Sequence, residues 1–266
     1  MQLSALHIHP VKSCAALSPE SIRVESRGAV DDRRWMLVDP EGRFITGRQL
    51  PLLVRLQAEP VDGGLQLRLG DASHFVPAPA ATAARHEVVI WKDRVSAALA
   101  DAASSVWLSE QFSRPVQLVH MDEAAHRPVS LTHGQPGDEV SFADGYPLLL
   151  LSQGAVDALS QRVGRPMDAR RFRPNLIVSG TAPHAEDNWR RVRIGGIRFD
   201  VVKPCVRCVF TTVDPERGER EPDGEPLATL KTYRRMGDGV TFGMNLIPRD
   251  TGVVSVGDAV EVLEST

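Results

Sequence analysis

The stretch Lys203-Pro-Cys-Val-Arg-Cys-Val-Phe-Thr-Thr-Val-Asp-Pro-Glu-Arg-Gly-Glu-Arg220 contains two of the three cysteines in this 266-residue sequence. The segment before the cysteines, 197–202, alternates apolar and polar residues, which is typical of a half-buried strand. The segment after them, 209–213, is a second strand candidate and ends in Asp-Pro, a turn signal. The sequence therefore predicts a strand, a loop fixed by Pro204 and another strand, with both thiols on the loop.

Four interpretations of Cys205 and Cys208 are open at this point. Both can be small hydrophobic residues that are buried for packing. A thioredoxin-like redox pair normally opens a helix, whereas a strand is predicted here. A structural zinc site needs four soft ligands, and the sequence offers only Cys14 besides this pair and no His-x₃₋₅-His motif. In the fourth interpretation, one thiolate binds a soft metal whose other ligands come from a cofactor.

Composition and charge argue against several classes of function. The chain has 31 Lys and Arg against 34 Asp and Glu, a net charge of −3, and 42% hydrophobic residues, as in an ordinary globular protein. No excess of positive charge points to nucleic acid. No apolar run approaches the roughly 18–20 residues of a membrane span, and the N-terminus does not resemble a signal peptide. We therefore expect no nucleic-acid or membrane partner, a reducing cytoplasmic location and, without a long apolar stripe, a monomer.

The cysteine count also limits electron transfer. A plant-type [2Fe–2S] cluster needs four cysteines, and this sequence has three. Any electrons that the protein uses must then be delivered by another molecule.

Short strands with Gly/Pro turns dominate the pattern, and they recur at roughly ten-residue spacing, which favours a barrel or sandwich. The predicted strands cover 3–9, 21–24, 34–39, 44–46, 53–60, 64–70, 86–91, 175–179, 191–194, 197–202, 209–213 and 253–263, the last broken at Gly257-Asp258. Helices are predicted over 97–112, from Ser152 as N-cap to about 163 before Gly164, and near 227–235. Because helices and strands do not alternate regularly, we predict a mixed α+β fold that is mainly β, built around barrels.

Basic residues stand beside hydrogen-bonding residues at several predicted strand ends. These groups are Lys12-Ser13, Asp32-Arg-Arg-Trp35, Thr46-Gly-Arg-Gln49 and Arg170-Arg-Phe-Arg-Pro-Asn175. Arginine matches the geometry of phosphate and carboxylate groups, and charge-assisted hydrogen bonds are the stronger ones. Each cation alone is also explained as a solvated surface residue. If the groups converge, they form an anion pocket in a chain that is acidic as a whole.

Taken together, these motifs resemble those of the MOSC family (molybdenum cofactor sulfurase C-terminal domain). Lys-Pro-Cys-x-Arg-Cys-x-x-Thr-Thr-Val-Asp-Pro at 203–215 is similar to its signature. The motifs His-Pro-Val-Lys-Ser, Asp-Arg-x-Trp and Thr-x-Arg-Gln resemble its N-terminal β-barrel domain. Further matches are Phe172-Arg-Pro-Asn175, Ala185-Glu-Asp-x-Trp189, Phe242-Gly-x-Asn245 and Val256-Gly-Asp258. The resemblance covers essentially the whole chain and is nearest in pattern to the mitochondrial amidoxime-reducing components and their bacterial counterparts.

The resemblance implies an N-terminal β-barrel domain over 1–119 packed on a MOSC domain over 120–266. It implies a molybdenum cofactor (molybdopterin) enzyme that reduces N-hydroxylated compounds from N–OH to N–H. Cys208 is then the catalytic residue and metal ligand, with Cys205 in support. The cofactor-binding set carried over from the motifs is Lys12, Ser13, Arg33, Arg48, Ser152, Arg173, Asn175, Arg207 and Cys208.

The resemblance also concerns partners. The implied electron donor is a separate protein, either a ferredoxin or flavodoxin or a cytochrome b5-like protein with its reductase, because no fused iron–sulfur domain and no N-terminal anchor are recognised. The alternative function is a sulfur or molybdenum-cofactor carrier that uses a persulfide on Cys208 without turnover. A cofactor-recognition module without redox chemistry is a third interpretation. No Lys-bearing pyridoxal-phosphate desulfurase domain is recognised, so pyridoxal phosphate is not expected.

Overall fold

Strands form most of the regular structure in the computed structural model, which describes residues 1–237 and 239–266. The first nine strands are β1 (Gln2–Leu6), β2 (Ser21–Glu25), β3 (Gly28–Ala29), β4 (Trp35–Val38), β5 (Gln57–Val61), β6 (Gly64–Leu69), β7 (Ala72–Pro77), β8 (Arg85–Ile90) and β9 (Asp93–Leu99). The later strands are β10 (Gln117–His120), β11 (Leu148–Ser152), β12 (Leu176–Ser179), β13 (Trp189–Ile194), β14 (Ile197–Val206), β15 (Arg235–Met236), β16 (Gly239–Pro248), β17 (Gly252–Ser255) and β18 (Val260–Ser265). The predicted mainly β, mixed fold is confirmed.

The largest sheet joins the two ends of the chain. Its order is β1-β12-β11-β16-β14-β13-β18, with β15 added to β16. The N-terminal strand β1 pairs antiparallel with β12, so that Gln2 lies opposite Ser179. Strand β11 is buried along its whole length, which agrees with its run of leucines and its central place in the sheet. The cysteine-bearing strand β14 runs antiparallel to β16 beside it.

Three smaller sheets complete the fold, with the orders β4-β10-β9-β8, β17-β2-β3 and β5-β6-β7. Because β1, β2 and β3 pair with or pack on C-terminal strands, the first 30 residues contribute to the hydrophobic core of the largest sheet. A second core lies under β5 and β6 and a third between β4, β8 and β9. The predicted division at 119/120 stays a prediction, and the structure adds that β1 and β2 of the first part pair with β12 and β17 of the second.

The helices begin at side-chain caps where the sequence provides them. Helix α1 (Ala102–Phe112) begins after Asp101, whose carboxylate accepts a hydrogen bond from the backbone of Ser104. Helix α2 (Gln153–Val163) begins after Ser152 and ends at the left-handed Gly164, as predicted. Helix α3 (Leu227–Tyr233) is short. The predicted start of the first helix at residue 97 was wrong because residues 97–99 complete β9.

Some predicted strands were also wrong. Residues 209–213 form a 3-10 turn over Val209–Thr212, not a strand. The hydroxyl of Thr211 donates to the carbonyl of Cys208, and that of Thr212 donates to the carbonyl of Val209, which favours a turn over an extended chain. Predicted strand 53–60 begins as the 3-10 turn Pro51–Arg55, and predicted strand 44–46 makes only the single bridge from Phe44 to Val38. Within the described residues, no helix is both long and apolar enough to cross a membrane.

Candidate functional site

One pocket collects the predicted site residues, with the sole exception of Ser152. It lies where the N-terminal strand ends meet the loop that carries Cys208. The predicted residues in its lining are Lys12, Ser13, Arg33, Arg48, Arg173, Asn175, Arg207 and Cys208. The convergence that the sequence could only suggest is therefore present in the structure.

Lys12 is a buried cation on one wall of this pocket. Its ammonium group donates to the carbonyl of Phe142 at 2.8 Å and to the carboxylate of Asp144 at 2.7 Å. Burial lowers the pKa of Lys12 to about 8, although Asp144 acts in the opposite direction. Asp144 also lines the pocket, and sequence reasoning missed it because it lies in a loop 132 residues from Lys12 and belongs to no motif.

Arg33 lies in a buried network next to Lys12. Its guanidinium donates to the carboxylate of Asp32, to the side-chain carbonyl of Asn175 at 3.1 Å and to the backbone carbonyl of Arg173 at 2.9 Å. Asp32 also accepts from the backbone of His9 at 2.8 Å. Burial alone would raise the pKa of Asp32, but Arg33 and His9 together outweigh it and hold the pKa below its usual range. The network therefore fixes the guanidinium of Arg33 in place.

Asn175 is fully buried and supports this network. Its side-chain carbonyl accepts from Arg33 and from the backbone of Leu149 at 3.1 Å, and its amide donates to the carbonyl of His7 at 3.1 Å. Its contacts within the protein position Arg33. Asn175 also lines the pocket, and its predicted role in cofactor binding stays a prediction.

Backbone strain is concentrated around the pocket. Ser13, Arg33, Trp91 and Arg173 have φ angles of 68°, 51°, 55° and 57°, and all four line the pocket. Side chains other than glycine adopt this left-handed region at a cost, and such residues cluster at functional sites. The fold thus holds the backbone of these four residues in a sparsely populated conformation at the pocket wall.

The opposite wall is the end of β14, which carries Cys205, together with the following residues Arg207 and Cys208. Arg207 donates to the sulfur of Cys205 at 2.7 Å and to the carbonyl of Phe172 at 2.7 Å. Burial raises the pKa of the Cys205 thiol, and Arg207 opposes this effect. Cys208, in contrast, is exposed on the pocket surface. The two thiols therefore differ: one is held by an arginine and the other is accessible.

A close backbone approach joins the two walls. A Cβ atom added at Gly47 would lie 2.0 Å from the ring of Phe210, two residues after Cys208. The same ring lies 5.7 Å from the guanidinium of Arg173. A side chain at position 47 of the Thr-x-Arg-Gln motif would displace the Phe210 ring, so glycine allows the close contact between the motif and the cysteine loop.

Arg48 and Trp91 form the rim of the pocket. The guanidinium of Arg48 stacks 4.5 Å from the ring of Trp91, and the carbonyl of Arg48 accepts a hydrogen bond from Arg220. Trp91 remains 43% exposed. It lies outside the motifs, and no sequence signal identified it.

Ser152 does not lie in the pocket. It is fully buried, its hydroxyl accepts from the backbone of Ala155 at 3.2 Å as the cap of α2, and its backbone donates to Glu186 at 3.0 Å. Helix capping accounts for a serine at this position. The geometry therefore gives no support to Ser152 as a cofactor-binding residue.

The remaining cysteine and the carboxylates do not add a metal centre. Cys14 is fully buried, and burial raises the pKa of its thiol to about 12. Within residues 1–237 and 239–266, no group of three or more His, Cys, Asp and Glu side chains is arranged to hold a metal ion. In the described part of the chain, Cys208 is thus the exposed thiol of a strongly cationic pocket.

Comparison with known proteins agrees with the motifs. Residues 1–115 match the MOSC N-terminal beta barrel domain and residues 137–261 match the MOSC domain. The chain is 31% identical to mitochondrial amidoxime-reducing component 1 of Xenopus laevis, over 97% of this chain and 81% of the relative. It is 33% identical to the protein of the same name from Danio rerio, over 97% of this chain and 83% of the relative.

A second kind of relative matches over part of its length. Molybdenum cofactor sulfurase of Oryza sativa is 29% identical over 92% of this chain, which corresponds to 32% of the sulfurase. The two domain matches and the similarity along almost the whole sequence lead to one assignment. The chain belongs to the MOSC family, with an N-terminal MOSC β-barrel domain ahead of the MOSC domain.

Proposed function

We propose that this protein binds a molybdenum cofactor in the pocket, with Cys208 as the metal ligand, and reduces small N-hydroxylated compounds. The observation that carries the proposal is the exposed thiol of Cys208 on the wall of a pocket lined by several cations. The relatives named amidoxime-reducing component and molybdenum cofactor sulfurase support a molybdenum-cofactor-related function. The reduction of N–OH to N–H is the more specific part of the proposal.

The residues present fit such a cofactor. A soft thiolate suits a soft, sulfur-rich metal centre. Lys12 and Arg33 are buried cations that suit a phosphate. Among the described residues that line the pocket, Asp144 is the one carboxylate, so cations outnumber it. Buried nitrogen atoms of Arg173 and Arg207 have no hydrogen-bond partner in the described structure. Unpaired buried donors are costly, so acceptors on a bound anion account for them.

Different residues of the pocket have different roles in binding the cofactor. When bound, the cofactor supplies the redox chemistry that breaks the N–O bond. Lys12 and Arg33 would hold its anionic group, and the Asp32 network keeps Arg33 oriented. Cys208 would bind the metal, while Arg207 fixes the neighbouring Cys205. The fold thus presents one thiol and immobilises the second.

The electron balance requires a partner. Converting N–OH to N–H with release of water consumes two electrons and two protons. The three cysteines of this sequence are too few for a four-cysteine iron–sulfur cluster. We therefore propose a separate electron-transfer protein in a reducing, cytoplasmic compartment. A ferredoxin, a flavodoxin or a cytochrome b5-like protein with its reductase can fill this role.

Reduction of an aromatic amidoxime tests the proposal. Wild type, Cys208→Ser and Cys205→Ser are produced in a cofactor-competent host and supplied with electrons from a reduced viologen dye. We expect turnover by wild type, reduced turnover by Cys205→Ser, and loss of about 10³-fold or more in Cys208→Ser, as for other residues bonded to the reacting centre. Equal turnover by wild type and Cys208→Ser would contradict the assignment.

A sulfur or cofactor carrier is the second candidate. The exposed thiol of Cys208 and the match to part of a molybdenum cofactor sulfurase favour it. In that case, intact-mass analysis of the purified protein will show a persulfide on Cys208, no retained pterin, and no amidoxime reduction with any donor.

A further inference from the structure

A second, larger cavity adjoins the pocket. Its volume is about 540 Å³, and it lies between the β5–β6 hairpin and the 3-10 turns at Ala169–Phe172 and Val209–Thr212. It shares Arg171, Arg173 and Phe210 with the first pocket, but Cys208 is not in its lining. A molecule bound in this cavity therefore lies outside the proposed reaction centre.

The hairpin presents a polar face to this cavity. Leu65 and Leu67 point into the hydrophobic core, so the alternate residues of β6 point the other way. The polar residues of the hairpin that line the cavity are Gln57, Glu59, Gln66 and Arg68, and Ala58 lines it between them. Gln57 lies directly opposite Arg68 in the strand register. The hairpin thus supplies both hydrogen-bonding groups and a cation.

The charges around the cavity have a positive excess. Arg170 and Arg171 lie in the lining but are paired with the carboxylates of Asp168, Asp214, Glu216 and Glu221. In contrast, Arg55, Arg68 and Arg173 form no ion pair with any carboxylate of the described residues, and Glu59 is the corresponding unpaired acid. The stem of Arg55 lies close to Gly218, since a Cβ atom added at this glycine would be 3.3 Å from the side-chain carbons of Arg55.

A buried polar atom at the cavity wall lacks a partner. His9 lines the cavity and is 0% exposed, and its Nδ1 lies 3.6 Å from the carboxylate of Asp32, whereas its Nε2 has no hydrogen-bond partner in the described structure. Buried polar groups in native proteins are normally satisfied, so this nitrogen indicates that something polar completes the wall.

We propose that this cavity is a second ligand site for a small organic oxyanion, a phosphate ester or a polycarboxylate, that is not the reacting substrate. Arg55 and Arg68 bind its anionic groups, and the glutamines of the hairpin contact the rest. Arg173 and Phe210 connect this ligand to the first pocket, since both residues belong to both cavities. The proposal does not depend on which cofactor the first pocket holds.

Calorimetric titration with inorganic phosphate and with citrate, at constant ionic strength, tests this site. The proteins compared are wild type, the double variant Arg55→Ala/Arg68→Ala, and two controls. Arg23→Ala removes an exposed cation that lines neither cavity, and Arg48→Ala removes a cation of the first pocket alone. The two probes separate the ligand classes. Tighter binding of phosphate indicates a phosphate ester, and tighter binding of citrate indicates a polycarboxylate.

We expect one saturable binding event that becomes about tenfold weaker or more in the double variant, since two charge-assisted contacts are lost. This event stays unchanged in Arg23→Ala and in Arg48→Ala. Absence of saturable binding overturns the proposal, as does binding that the double variant retains or that Arg48→Ala removes. Molybdenum content measured on the same samples shows independently whether the proposed function holds.

Discussion

The two walls of the pocket are built in opposite ways. On the N-terminal wall, Lys12 and Arg33 are buried, and their charges are held by Asp144, Asp32 and backbone carbonyls. On the other wall, Cys208 is exposed, and the neighbouring residues Val206 and Val209 are 57% and 38% exposed. One wall is therefore a buried, internally paired network, whereas the other leaves a thiol accessible.

Thiol reactivity shows the largest expected difference. In cofactor-free protein at pH 7.5, we expect iodoacetamide to modify Cys208 first, Cys205 more slowly and Cys14 slowest, by about 10³-fold or more relative to Cys208, because alkylation needs an accessible thiolate. Burial raises the pKa of both Cys205 and Cys14. Peptide mass spectrometry over time measures the three rates. In urea the rates should converge, and a folded protein in which Cys14 reacts as fast as Cys208 would break the comparison.

The N-terminal wall should depend strongly on Asp32. Replacing Asp32 by Asn leaves Arg33 buried without its counter-charge, and breaking a buried ion pair costs about 3–5 kcal/mol of unfolding free energy. Urea denaturation measures this loss. The matched control is Glu87→Gln, which breaks an exposed pair with Arg94 and should leave stability nearly unchanged. Equal effects of the two variants would show that the buried network does not stabilise the wall.

The charge of Lys12 should set a pH limit on anion retention. Its pKa of about 8 lies below the value of about 10.4 in an unfolded chain. Between these pH values the unfolded state binds more protons than the folded state, so the contribution of Lys12 to the free energy of unfolding rises with pH. Over the same range the pocket loses a positive charge. We expect the half-life of the bound cofactor to fall about tenfold between pH 7 and 9.5, the effect of one charge-assisted contact. Lys12→Arg, which stays charged, should remove this pH dependence of molybdenum loss.

Replacing Ser152 has the smallest expected effect on stability, and it tests whether this residue lies outside the cofactor site. Ser152→Ala removes the cap of α2 and should cost about 1 kcal/mol of unfolding free energy. Molybdenum content should be the same as in wild type. A loss of the cofactor at unchanged stability would return Ser152 to the binding set.

The sequence predicted local features better than distant pairings. The cap at Ser152 and the end at Gly164 fix α2 through neighbouring residues, and both were predicted correctly. Residues 209–213 have the composition of a strand, but threonine hydroxyls bonded to nearby carbonyls turn the chain instead. The contact between Lys12 and Asp144 depends on how β1 pairs with β12, and no local pattern encodes a partner so far along the chain.

The motifs predicted most of the candidate site for a related reason. They lie at strand ends, and the large sheet brings strand ends together even though its pairings were not predicted. What the motifs could not predict was the set of contacts that each side chain makes. Asn175 and Ser152 were both placed in the binding set; in the structure Asn175 lines the pocket and bonds Arg33, whereas Ser152 caps a helix outside it. That distinction depends on burial, which a single sequence does not specify.

Metal and pterin analysis of wild type, Cys208→Ser and Cys205→Ser, each produced in a cofactor-competent host, tests the central claim most directly. We predict about one molybdenum and one pterin per wild-type chain, most of both in Cys205→Ser, and about a tenth or less of the molybdenum in Cys208→Ser, since a metal site loses its hold when its protein ligand is removed. Because Cys208 is exposed, its replacement should leave the unfolding temperature of the cofactor-free protein unchanged. Full molybdenum occupancy in Cys208→Ser would contradict the account.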